Sequence, residues 1–356
     1  MKRLVWVAIS AMLVSGASLG LLAALAPSAG SQQGTAIRKD VDLVSIYFTV
    51  RDGQKRLVTE MEQDRFRVFE ENKEQKITHF ARHSDVMLNL GVLIDTSTKV
   101  PGLLGAEADA AVEFLQRVMR RKDLGFVVSV DSRVNTLQVP TGELQALVEK
   151  ADSIRDRGTW SAGRPPLRLP PIITGPFPTP GAGPGMGNPM REARIFDAVR
   201  VSVSRYLKQE VGRKAVVILA LADDAKSEST VEDALVALQG SDVIAYVLQF
   251  QHDEGDDCDI THIFRSGSGR LGRVAEETGG RVLDVRGRKK LREAFLEIAE
   301  ELHNQYSLGY SPQNQKWDGS FRKVQIKVRD GNYKVQARKG YYAVAAGGDA
   351  SGKKQD

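Results

Sequence analysis

The run LNLGVLIDTSTKV (88–100) places a carboxylate, Asp95, and the hydroxyls of Thr96, Ser97 and Thr98 directly after a nearly wholly apolar segment. Carboxylate and hydroxyl oxygens just past the end of a buried strand suit a hard cation such as Mg²⁺ or Ca²⁺. Lys99 stands in the same loop. An ammonium about 4 Å from a divalent ion costs about 8 kcal/mol at an effective dielectric near 20, scaling the unit-charge figure. The loop therefore reads most simply as a worn metal site, in which the Lys99 amine pairs with Asp95 and takes the place of the ion. Asp223 and Asp224, after the apolar run AVVILAL (215–221), supply the further carboxylates of a competing, metal-binding reading.

Other chemistry-bearing stretches carry less. QHDEGDDCDITH (251–262) gathers acids around a glycine together with His252, Cys258 and His262, but its spacing matches neither an EF-hand loop nor a zinc site. It reads as a solvated acidic loop, with an enzyme built on it as an alternative. GSGRLG (267–272) fits G-x-G-x-x-G, yet the last clear strand ends at Phe250, so the tight strand–turn–helix that phosphates need is missing. No serine has the context of a nucleophile elbow. Catalytic residues and an obligatory cofactor are therefore not expected.

The elements that would position Asp95 follow from hydrophobic periodicity. Uniformly apolar strands at 88–94, 125–130, 215–221, 242–250 and 281–285 alternate with helical patterns near 106–121, 142–155, 192–208, 270–278 and 288–304. A further helix opens at a capping box, Ser229-x-x-Glu232, and Gly279 is placed to stop the helix at 270–278. Strands apolar on both faces mean a sheet covered by helices on both sides, a Rossmann-like doubly wound, mostly parallel α/β fold. Both ends of the chain change rhythm. Strand-like runs at 41–50, 65–70 and 76–80 precede the α/β region, and FRKVQIKVRD (321–330) alternates strictly before a Gly331-Asn332 turn. That turn predicts a hairpin with 333–344. Neither end has enough strands for its own core, so the two are expected to combine into one small antiparallel β-domain.

These patterns divide the chain into a leader (1–30), an N-terminal β segment (36–85), an α/β domain (86–304), a C-terminal β segment (305–345) and a disordered tail (346–356). Residues 158–190 hold nine of the 13 prolines and read as an insert within the α/β domain, where Trp160 could meet a partner. Lys2 and Arg3 before an uncharged run to Ala26, followed by small residues, form the pattern of a secretory signal. The chain is thus expected to be exported, to the periplasm, cell envelope or medium. Membrane association is expected only if that segment stays uncleaved. A single cysteine, Cys258, excludes an intrachain disulfide. The net charge of +5 is spread along 356 residues rather than clustered, which argues against nucleic-acid binding.

Several stretches together resemble the von Willebrand factor A-related proteins of the acidobacterial type. They are VSIYFTVRDGQKRLVTEMEQDRFRVFEENKEQKITHF, LGVLIDTS, RIFDAV, GRKAVVIL, VAEETGGRVLDV and the ending from EELHNQYSLGYSP to VQARKGYYA. The resemblance implies an A-type domain whose strand ends carry a metal-ion-dependent adhesion site: Asp-x-Ser-x-Ser, a Thr from a second loop and an Asp from a third. Laid on this chain, Asp95 and Ser97 match, while Lys99, Ala193 and Leu221 stand where Ser, Thr and Asp are implied. The expectation is an exported, non-enzymatic protein-binding or scaffold protein. Its partner face would hold Asp95, Ser97, Lys99, Asp223 and Trp160. The alternative is a Mg²⁺- or Ca²⁺-dependent adhesion module using Asp95, Ser97 and Asp223 or Asp224.

Overall fold

A computed structural model of the chain describes residues 43–82, 86–97, 103–155, 193–220, 224, 226–251 and 269–344. The leader, Lys99, the 158–190 insert with Trp160, Asp223, the acidic 252–262 stretch with Cys258, and the tail lie outside the described residues.

The chain begins with β1 (Val44–Arg51), β2 (Phe66–Glu70), β3 (Lys73–Gln75) and β4 (Ile77–Ala81). It then alternates: β5 (Leu88–Asp95), α1 (Leu103–Val118), β6 (Leu124–Val130), β7 (Val134–Thr141), α2 (Leu144–Asp152), α3 (Ile195–Ser202, extended by a π turn), β8 (Arg213–Ala220) and α4 (Val231–Gly240). After β9 (Val243–Gln251) come α5 (Arg270–Thr278), β10 (Val282–Arg286) and α6 (Gly287–His303). The last strands are β11 (Tyr306–Tyr310), β12 (Phe321–Val328), β13 (Lys334–Ala337) and β14 (Gly340–Tyr342).

The central sheet has the order β10-β9-β8-β5-β6-β7, parallel throughout except for β7, which runs antiparallel to β6. This is the doubly wound arrangement read from the apolar strands. Every residue of β5 is buried. Its Leu88, Leu90, Val92 and Ile94 pack under α1, α2 and α6, and Leu93 packs on the opposite face with α3, α4 and α5. Gly91 breaks the apolar run because the ring of Phe126 lies over it. A Cβ there would meet that ring at 2.4 Å. The edge strand β7 was invisible in the sequence. Its residues are only partly buried and it holds Pro140, which an edge strand tolerates because one side of it needs no ladder bond.

The two ends of the chain form two four-stranded antiparallel layers, β13-β1-β11-β4 and β14-β12-β2-β3, around a shared core. Phe48, Phe66 and Tyr306 are its aromatic centre, with Phe48 stacked on Tyr306 at 5.3 Å. The hairpin expected at Gly331-Asn332 does not form. β12 pairs with β2 and β14, whereas β13 pairs with β1 in the other layer. Both edges of β12 are thus taken, and the left-handed residues Asp330 and Gly331 turn the chain across to the open edge of β1. This β-domain sits at the amino ends of the parallel strands. There Arg338 pairs with Asp242, just before β9, and the Lys339 N–H donates to the carbonyl of Glu277, in α5. Gly279 adopts φ +89° to end α5, and the backbone of Ala337 and Arg338 passes so close that no side chain would fit. Fully buried Glu301 of α6 binds Arg51 at 2.5 Å, Arg281 at 2.6 Å and Gln336, tying the two parts together.

Candidate functional site

With the amino ends covered, the carboxyl ends of the parallel strands are left to carry a site. β5 ends in Asp95, whose Oδ1 accepts the N–H of Ser97 at 2.9 Å. Thr96 meanwhile donates its N–H to the carbonyl of Val130 at the end of β6. The chain leaves the sheet in a side-chain-capped turn, with Asp95 and Ser97 both buried. The sequence placed these two together, and the structure does so as well.

Asp224 turns its carboxylate toward the start of α3. Its Oδ1 accepts the N–H of Ile195 at 2.5 Å, the N–H of Phe196 at 3.2 Å and the hydroxyl of Ser227 at 2.6 Å. A carboxylate receiving the first N–H groups of α3 satisfies donors that the helix cannot pair internally. Arg270 at the start of α5 holds the backbone carbonyl of the same residue. Asp224 thus anchors the loop after β8 to α3. Ala193, which stands where the resemblance implies a Thr, is packed into the core beneath α3.

The same loop is held a second time. Asp197 accepts from the N–H and hydroxyl of Ser229, from the N–H of Glu228 and from Arg194 at 2.7 Å. Burial alone would raise its pKa. The bonds from Ser229, Glu228 and Arg194 outweigh burial and hold it below the ordinary aspartate value. Because Asp197 claims Ser229, the capping box of α4 forms one residue later than expected, between Thr230 and Asp233. Between this loop and the turn after β6 lies an open cleft of about 850 Å³. Asp131, Arg133, Asn135, Arg194, Lys226 and Glu228 line it.

Glu107 is the residue that the sequence reading missed. It lies on the sheet-facing stripe of α1, one turn before Ala111 and two before Phe114, and is fully buried. Neither of its carboxylate oxygens has a hydrogen-bond partner. Burial pushes its pKa well above the usual glutamate value, and the charge of Asp95 pushes it further the same way. The signal was available: an acid at an otherwise apolar helix position.

The family's five ligand positions do not fit an ion here, since Ala193 offers no oxygen and Leu221 replaces a carboxylate. Glu107, outside that pattern, is buried within electrostatic range of Asp95. Among the described residues no group of three or more His, Cys, Asp and Glu side chains is gathered as a metal cluster. None of the described helices is long and apolar enough to cross a membrane.

No known family's sequence profile matches the chain, and no curated protein does either. Solved structures resemble it at low identity. BatB from Bacteroides thetaiotaomicron is 13% identical over 60% of this chain and 98% of its own, with a TM-score of 0.41. A von Willebrand factor type A protein from Catenulispora acidiphila is 11% identical, covering 85% of this chain and 73% of its own, at 0.43. Proximal thread matrix protein 1 of the mussel byssus is 11% identical over 73% of this chain and half of its own, at 0.42. At such scores the doubly wound fold rests on the strand order described above.

Proposed function

We propose that this protein is an exported, non-enzymatic binding module that presents the carboxyl ends of its α/β sheet to a protein partner. The observation that carries this is the division of the sheet's two ends. The β-domain occupies the amino ends, while the carboxyl ends offer the charged cleft beside the Asp95 loop. Doubly wound sheets bind at their carboxyl strand ends, where loops of several strands converge. Two aspartates, the half-buried Asp197 and the buried Asp224, spend their hydrogen bonds on holding one wall of that cleft in place. A rigid wall suits recognition because little order remains to be imposed on binding. The resemblance to von Willebrand factor A-related proteins supports the same reading, and the leader pattern supports export.

The test is capture of envelope proteins on the purified, immobilised chain. Reversing the cleft charges with Arg133→Glu and Lys226→Glu should abolish the capture. A charge change on the β-domain, Lys327→Glu, should leave it intact. Equal capture by all three would sink the proposal, and hydrolase substrate panels should stay blank.

A second reading, adhesion that depends on a divalent cation, is favoured by one observation: Glu107 is fully buried without a donor, within electrostatic range of Asp95.

A further inference from the structure

We infer that the outward face of the β14-β12-β2-β3 layer docks on the anionic phospholipid surface of a membrane. This goes beyond the carboxyl-end reading and uses none of its residues. The positive charge that is spread along the sequence is gathered by strand pairing. Arg67 and Lys327 stand directly opposite each other on β2 and β12. Next along, the Arg329 N–H donates to the carbonyl of Arg65, which sets those two arginines side by side. Alternation along β12 puts Lys323 on the same face, so five cations share it. Arg67, Lys323, Lys327 and Arg329 are exposed. Two acids accompany them on these strands: Glu74, which binds Arg67 at 2.5 Å, and Glu71, which accepts the N–H of Lys323.

Like charges directly opposite on neighbouring strands destabilise a sheet. Two such pairs in succession are a standing cost. The ring of Phe69, 5.0 Å from both the Arg67 guanidinium and the Lys327 ammonium, offsets only part of it. Anions placed over the face remove the rest. The other layer turns its outward side chains into the junction, where Tyr47 packs on the α/β core and Arg51 binds Glu301. The β14-β12-β2-β3 layer lies beyond the shared core, so its outward face is turned away from that junction. A lipid surface offers many phosphates in one plane and asks for no pocket. Each exposed cation gains from its negative potential, and the half-buried ring of Phe69 adds apolar contact at the headgroup level.

The test is sedimentation of the full chain with vesicles of phosphatidylcholine containing phosphatidylglycerol. Vesicles of phosphatidylcholine alone measure whatever the leader contributes. The anionic vesicles should take up more chain, and the excess should vanish as salt rises. Lys323→Glu combined with Lys327→Glu, checked for native circular dichroism, should weaken the excess binding at least about tenfold. Lys327→Glu alone sets a carboxylate opposite Arg67, so it should raise the melting temperature while lowering vesicle binding. A purely structural role would not give that combination. Arg133→Glu with Lys226→Glu, in the cleft, should bind vesicles as the wild type does, so a failure here and a failed capture experiment remain distinguishable. No excess on anionic vesicles, or an excess unchanged in the double variant, would overturn the proposal. So would a lower melting temperature in Lys327→Glu, by showing that the cations do not strain the face. Retention on dextran sulfate without vesicle binding would overturn it as well, by assigning the face to a soluble polyanion.

Discussion

At the amino end of the parallel sheet Glu301 is fully buried and meets Arg51, Arg281 and Gln336. At the carboxyl end Glu107 is as fully buried and meets no donor. The first arrangement is a closed charge network at a junction between two packed parts. The second leaves a carboxyl without a donor, which burial and the charge of Asp95 both push toward its neutral form. Closed networks are costly to break, whereas an unpaired buried carboxyl is costly to keep. The contrast separates the end of the sheet that the β-domain covers from the end proposed to meet a partner.

The sharpest way to break this comparison is Glu301→Ala. It leaves two guanidinium groups facing a cavity and should cost about 3 kcal/mol in urea unfolding, the low end of the range for a broken buried pair because both arginines are partly exposed. A loss below about 1 kcal/mol would mean that the junction network is not the closed one described. At the other end the sign should reverse. Glu107→Leu removes a buried carboxyl that has no donor at similar volume and should raise stability by about 1–3 kcal/mol. Destabilisation of that size would show Glu107 to be satisfied after all.

Asp197 sharpens the picture through pH. Its folded pKa lies below the ordinary aspartate value, so the unfolded chain takes up the proton more readily. Its stabilising contribution is therefore complete at neutral pH. It fades as pH falls below about 4 and through the lower folded value. Asp197→Asn should lower neutral stability by about 1 kcal/mol and flatten the acid limb of the stability curve, as chemical denaturation at several pH values would show. An unaltered limb would assign acid sensitivity elsewhere. The smallest effect expected is from Thr230→Ala, about 1 kcal/mol or less, from loss of the α4 cap. Ser229→Ala should act instead on the Asp197 loop, leaving α4 helicity by circular dichroism unchanged.

Much of this architecture was legible beforehand, and the misses have specific causes. The fully apolar strands 88–94 and 215–221 announced a sheet covered on both faces, and Gly279 announced the end of α5. Alternation in 321–328 announced which side chains of β12 face inward. Asp95 and Ser97 were recognisable as a strand-end pair because their bond spans two residues. Misread were the partner of β13 and the exact cap of α4, and the bonds of Asp224 to α3 were not foreseen. Each was decided by a residue distant in the chain: the open edge of β1, the pull of Asp197 on Ser229, and the unpaired N–H groups of α3.

By itself, then, the chain's periodicity determined which side chains are buried and so the class of fold, because burial acts on each residue according to its own polarity. The tertiary structure alone decided which strands pair and which buried acids find donors. Those outcomes depend on groups brought together from positions far apart in the chain, as with Arg51 and Glu301, 250 residues apart.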